Sequence, residues 1–510
     1  MLVWVPFFIF GVMKRISKAI FFLVVLFSTG RSAGQKVYDF DGNCKLAYQD
    51  ITSLKLDQGA ALLNQERLRN PDNLIPDLLE GYIDFFELFF NEDPAAYAVK
   101  KQSQEARIER LEQGPQNSPY YNYCLSVAYL QKATVAIKFG ERWSAAWAFR
   151  KAFGLIKANR KAFPGFLPND MIYGPMEVVV DVIPDGYKWF TSLLGMKGSV
   201  KDGMERMHNF VYSNDPTAKF FFNEATFYYC YLLFYIQNQP DAVFDFINEK
   251  KLDVVNNHLF AYLAANLGIN DKRTEYAKNI LLHKNPSPDY MYTPVWDYEM
   301  AFVRLHHLEL GEATRYFENF LHNFKGKFYL KDSYEKLAWC YYLQGDTKDA
   351  DEAMQEVLTK GNLETDADKQ ALADAQSGIW PNKILLRARL LSDGGYNSEA
   401  LAALNGKSTD DFSVPDDKLE FAYRVARIYD DMGRDSDAIQ AYLAAIKLGT
   451  GSKQYYASRA ALQIGYIYER EGKKALAIVF FNQCISMKNH EYKDSIDQKA
   501  KAGIARCEDE

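Results

Sequence analysis

The sequence predicts an all-α solenoid of stacked helix–turn–helix hairpins, interrupted by an irregular Pro/Gly-rich insert over residues 164–214. Three observations predict it. A pattern of small and large residues recurs in register around Gly345, Gly433 and Gly472. The flanks of each glycine carry apolar residues at helical spacing, and strand-like alternation is scarce. At 510 residues the chain also exceeds the roughly 250–300 that one compact core supports, which favours a repeat array or several domains.

The first 34 residues read as a signal peptide. Lys14, Arg15 and Lys18 form a basic start, Ala19–Phe27 an apolar core, and Ser32, Ala33 and Gly34 a small-residue cleavage site. Met13 is an alternative start. The apolar core falls short of the roughly 20 residues that span a bilayer. No cysteine stands near enough to accept a lipid, since the first is Cys44. The chain is therefore expected to be exported, periplasmic or secreted, with no transmembrane span after cleavage.

Composition favours a folded protein. Hydrophobic residues make up 48% and aromatic residues 15%, with 17 prolines, which disfavours bulk disorder. Without the leader, 56 basic side chains face 66 acidic ones, and such a chain lacks the basic footprint of a nucleic-acid binder. The six cysteines are far apart and show no metal spacing; Cys124, Cys230, Cys340 and Cys484 sit in apolar helical runs and read as buried thiols.

The repeat explains itself physically. Seven residues before the three glycines stand Ala338, Ala426 and Gly465; four before stand Tyr341, Tyr429 and Tyr468. Five after stand Ala350, Ala438 and Ala477, and nine after stand Met354, Tyr442 and Phe481. The glycine ends one helix in a left-handed turn. Small residues let the paired helices approach, and large ones fill the space beside them. Weaker copies surround Gly140 and Gly395. Degenerate hairpins are expected over 220–247, 259–282 and 297–324, the last turning near Gly311, with a further one over 51–90. The polar stretches 361–383 and 406–418 read as loops. The organisation expected is an N-terminal helical repeat region over 35–163, the insert over 164–214, degenerate hairpins over 215–325 and a C-terminal array over 326–510.

These residues resemble the tetratricopeptide repeat family, most closely from Ala422 to Ala445 and from Ala461 to Cys484. A second patch, Ile183-Pro184, Trp189–Gly198 and Asp202-Gly203-Met204, is similar to the tetratricopeptide repeat protein 39 and inclusion-body-clearance group, with Met196 where that group has an aromatic residue. Those relatives are adaptors without catalytic activity. The family resemblance implies that the first helix of each hairpin lines a concave groove, which would place Trp339, Tyr342, Tyr423, Arg427, Tyr466 and Arg470 towards a protein or peptide partner. The Lys/Asn set with which some family members clamp a carboxyl terminus is not matched: Glu335, Trp339, Tyr423, Arg427, Leu462 and Tyr466 stand there.

Motifs for catalysis are missing. None of the phosphate-cradling, hydrolase or metalloprotease patterns occurs, and His306-His307 point about 100° apart on a helix. No cofactor and no metal is expected. The leading reading is a non-enzymatic scaffold of envelope assembly or secretion. The alternatives are a glycan-binding helical-repeat protein of the outer envelope and a lytic-transglycosylase-like enzyme.

Overall fold

A computed structural model describes residues 35–182 and 196–508. The leader and most of the Ile183–Met204 patch lie outside the described residues. Those described form 25 α-helices and one short 3-10 turn; no strand occurs among them, only an isolated bridge between Val37 and Asn73. The helices pair as antiparallel hairpins. Around Gly140, Pro119–Lys138 packs on Arg142–Ala162, and around Gly395, Lys383–Asp393 packs on Asn397–Ala403. The three strongest repeats are Leu330–Gln344 with Thr347–Thr359, Pro415–Asp431 with Asp435–Leu448, and Tyr456–Arg470 with Lys474–Ser486. Gly345, Gly433 and Gly472 all take the left-handed conformation predicted for them.

Phe481 shows how the hairpins stack. Its ring is fully buried between Gly465 of the preceding helix and Gly503 of the final helix, Lys493–Glu508, and a Cβ added to either glycine would overlap it. The helix Lys493–Glu508 buries Ile496, Ala500 and Cys507 and leaves Gln498, Lys499 and Lys501 exposed.

The N-terminal half is held differently. Phe40 through Val303 contribute to one continuous apolar core. In it the buried Glu224 carboxylate accepts hydrogen bonds from the hydroxyls of Tyr48, Tyr82 and Tyr228, each at 2.8 Å. This joins the helices Gly42–Ile51, Ile75–Asn91 and Phe222–Tyr235.

Three sequence expectations change. The stretch 164–214 is not irregular where described: Pro168–Asp181 and Val200–Val211 form a helical pair. Its glycines serve close approach, since a Cβ on Gly203 would stand 2.6 Å from the Gly174 carbonyl oxygen. The polar stretch 361–383 contains the helix Asp366–Ser377, started by Thr365, whose side chain accepts from the Asp368 N–H. The hairpin over 297–324 turns at Leu308, which takes φ +58°, while Gly311 lies inside the helix Leu310–Asn323.

Distant hairpins are tied together. Glu92 accepts from the backbone N–H groups of Lys327 and Phe328 and pairs with Lys138 at 2.7 Å. Asp368 caps the helix Leu330–Gln344, accepting from the N–H groups of Tyr329, Lys331 and Asp332; burial pushes its carboxyl up to about 6. Lys272 pairs with Asp431, and the Lys272 carbonyl rests against Gly395.

Two substitutions separate turn geometry from this tie. Gly472 has open space around it, so Gly472→Ala is expected to lose about 1–2 kcal/mol through left-handed strain alone. At Gly395 an added Cβ would overlap the Lys272 carbonyl, so Gly395→Ala is expected to lose clearly more in the same urea titration.

Glu299 gives a pH signature. It is buried, accepts from the Asn266 side chain at 2.8 Å, and burial pushes it up to about 7 from the ordinary 4.5. The folded state then binds the proton more tightly than the unfolded state. This stability is fully present below pH 4.5 and is lost as pH rises through about 7. Glu299→Gln is expected to gain roughly 1–3 kcal/mol on the wild type between pH 5 and pH 8, measured by chemical unfolding.

Candidate partner-binding groove

Successive first helices pack directly on one another: His258–Asn270 on Val295–His306, Lys383–Asp393 on Pro415–Asp431, and Pro415–Asp431 on Tyr456–Arg470. The second helices stand further apart. A layer that is closer on one side curves towards that side, so the first helices line the inner face.

All six side chains expected in the groove have partners within the chain. Trp339 and Tyr423 are only 4% and 3% exposed, and both pack in the core rather than face solvent. Tyr342 stacks on Trp380 at 4.5 Å and donates to the Pro381 carbonyl. Arg427 pairs with Asp430 and Asp431 on its own helix, and Arg470 pairs with Asp435 at 2.8 Å. Tyr466 is half-buried against Phe481 and lies 5.9 Å from the Arg506 guanidinium.

A different row runs along the first helices. Arg389, Arg424 and Arg459 recur every 35 residues, whereas Gly395, Gly433 and Gly472 recur at 38 and 39. The arginines therefore lie six, nine and thirteen residues before their glycines. Steps of three and four keep one helical face while moving one turn along it. The result is a diagonal ladder across three hairpins. Arg389 sits 5.1 Å from the Trp339 ring, with Lys336 at 4.0 Å from the same ring. Arg424 lies 5.7 Å from Tyr456, and Arg459 lies 5.9 Å from Tyr455. Tyr455 in turn meets Tyr492 edge-on at 5.4 Å.

The charges along this row are unevenly satisfied. Lys336 pairs with Asp332 and Glu335, and Arg424 with Glu420 at 3.0 Å. Asp393 is pushed up by burial, but Arg389, Arg424 and Lys272 outweigh that and hold its carboxyl below the usual range. Towards the C-terminus the counter-charges run out. Arg459 and Lys499 are exposed and make no ion pair among the described residues. Aromatic rings beside guanidinium groups suit extended peptides with acidic and apolar side chains.

The family-model matches fall on the C-terminal hairpins. One family model described as tetratricopeptide repeat matches residues 419–448 and 458–491, and a second of the same description matches 332–360. The matched residues carry tetratricopeptide repeats, and neither match reaches the 183–204 patch. No curated protein matches the chain. Among solved structures, the APC/C hetero-tetramer Cut9-Hcn1 is similar over 91% of this chain and 89% of its own, at 13% identity and TM-score 0.28. The P58(IPK) TPR domain is similar over 85% and 100%, at 12% identity and TM-score 0.22.

Packing and surface roles predict opposite stability effects. Trp339→Ala and Tyr423→Ala are each expected to cost about 3–5 kcal/mol. Arg459→Ala and Lys499→Ala are expected to stay within about 0.5 kcal/mol of the wild type. Denaturant titrations of the four variants check this.

Proposed function

We propose that this protein is an exported, non-catalytic scaffold that holds a protein or peptide partner along the inner face of its C-terminal hairpins, in envelope assembly or secretion. The observation that carries the reading is the arginine ladder with its tyrosines, which ends in Arg459 and Lys499, both without an ion pair among the described residues. Tyrosine and arginine dominate binding energy at many interfaces, and a row of them over three hairpins suits a segment lying along the groove. The basic start and apolar core of the first 34 residues support export. No helix among the described residues is long and apolar enough to cross a membrane.

The test is a cross-linking pull-down from the native envelope with the wild type and with Arg459→Ala/Tyr466→Ala/Lys499→Ala. The wild type is expected to recover a specific protein, and the triple variant about tenfold less at unchanged helical circular dichroism. Recovery is also expected to fall as salt rises. Equal recovery by both proteins would sink the groove reading.

A glycan-binding reading has one observation of its own. Trp143 and Trp147 are 47% and 53% exposed, one turn apart on the helix Arg142–Ala162. Trp147 borders an open cavity of about 690 Å³ that is also lined by Lys132, Arg150, Lys151 and Lys157. Retention on immobilised glycans that Trp143→Ala/Trp147→Ala abolishes would favour this reading over the groove.

A further inference from the structure

We propose that Asp41, Cys44 and Glu66 form a divalent-cation site of the zinc class, which fastens the N-terminal segment to the first hairpin. One donor atom from each of the three residues lies within 4.8 Å of the other two. Tetrahedral zinc, with bonds of about 2.0–2.3 Å, holds its donors about 3.3–3.8 Å apart, so the three need to close by about an ångström.

The second observation is an orphaned carboxylate oxygen. Glu66 is 1% exposed, and its Oε2 has no hydrogen-bond partner. Its Oε1 accepts from the Asn73 amide at 3.1 Å. A buried carboxylate oxygen beside a second carboxyl, with nothing to satisfy it, is a costly arrangement unless a cation or a proton fills the gap.

The surroundings fit a cation that prefers some sulfur. Cys44 is fully buried in the first turn of the helix Gly42–Ile51, with its Sγ within 4.8 Å of a donor oxygen of each carboxyl. Asp41 is the N-cap of that helix, and one of its oxygens accepts from the Cys44 N–H at 2.8 Å. Asn73 is held in place, accepting from the Asp39 and Ile75 N–H groups and donating to the Asp39 carbonyl. Its amide reaches Cys44 Sγ at 3.7 Å as well as Glu66, so it orients two of the three ligands, as residues behind metal ligands commonly do. Asp41 is half-buried and opens the path from solvent, where water completes the fourth position. Binding through sulfur would release the thiol proton to solvent.

A thiolate ligand selects zinc over calcium or magnesium. It also separates this proposal from a proton shared between Asp41 and Glu66, which needs no sulfur. The purified chain, stripped with a chelator, is titrated with cobalt(II) and then zinc(II). One equivalent of cobalt is expected to give a sulfur-to-metal charge-transfer band in the near ultraviolet that zinc abolishes. Cys44→Ser is expected to remove the band, and Asp41→Asn to weaken zinc binding about tenfold or more, both at unchanged helical circular dichroism. Absence of the band in the wild type overturns the proposal, and so does an undiminished band in folded Cys44→Ser. If Cys44→Ser does not fold, half-exposed Asp41→Asn decides, and unchanged zinc affinity there overturns it.

Discussion

The ring of Phe481 between two glycines states the constraint on which the array depends. A hairpin of two helices cannot bury its own faces, so each large residue on a second helix needs a gap on both neighbouring first helices. Gly465 and Gly503 supply those gaps for Phe481, and Ala426 and the fully buried Tyr442 share one core in the repeat before. The spacing of small and large residues therefore sets the register between hairpins, and that register sets which side chains reach the inner face. A side chain added at any of these small positions disturbs two interfaces at once.

Charge does two separate jobs in the molecule. Glu92 with the N–H groups of Lys327 and Phe328, and Lys272 with Asp431, connect hairpins far apart in sequence, while Asp368 ties its helix to the start of the nearby helix Leu330–Gln344. Their partners are complete, and removing one would strand another. The arginines of the inner face are paired towards the middle of the array and unpaired at its end. That gradient, more than the number of charges, marks where a partner would gain most from contact.

The repeat was legible because it obeys a local rule. A left-handed glycine, a small residue seven before it and a large one nine after it can be found without knowing the neighbours. The groove was legible only in part. Helical spacing placed Trp339 and Tyr423 on the first helices, but whether a ring turns to the groove or to the next hairpin depends on how the hairpins stack. The 35-residue recurrence of Arg389, Arg424 and Arg459 was present in the sequence, yet it falls out of step with the glycines and becomes a ladder only on the folded array. The Glu224 cage was beyond reach, since its tyrosines lie up to 176 residues away. The helix Asp366–Ser377 was hidden by its polarity: it buries little more than Asp368 and Ala371, so no apolar stripe announces it.

The tie between Lys272 and Asp431, with Gly395 seated against the same turn, has a bearing on recognition. Open solenoids behave as springs whose pitch adapts to what they hold. Here the turn inside one central hairpin, between His258–Asn270 and Thr274–His283, is bolted to the hairpins of the C-terminal array, which fixes the pitch before any ligand arrives. A preset pitch spares the entropy that an elastic array would lose on closing, and it narrows the range of shapes that can be accommodated. Selectivity would then come from the shape of the ligand, and loosening this bolt would broaden what is bound at the cost of how tightly.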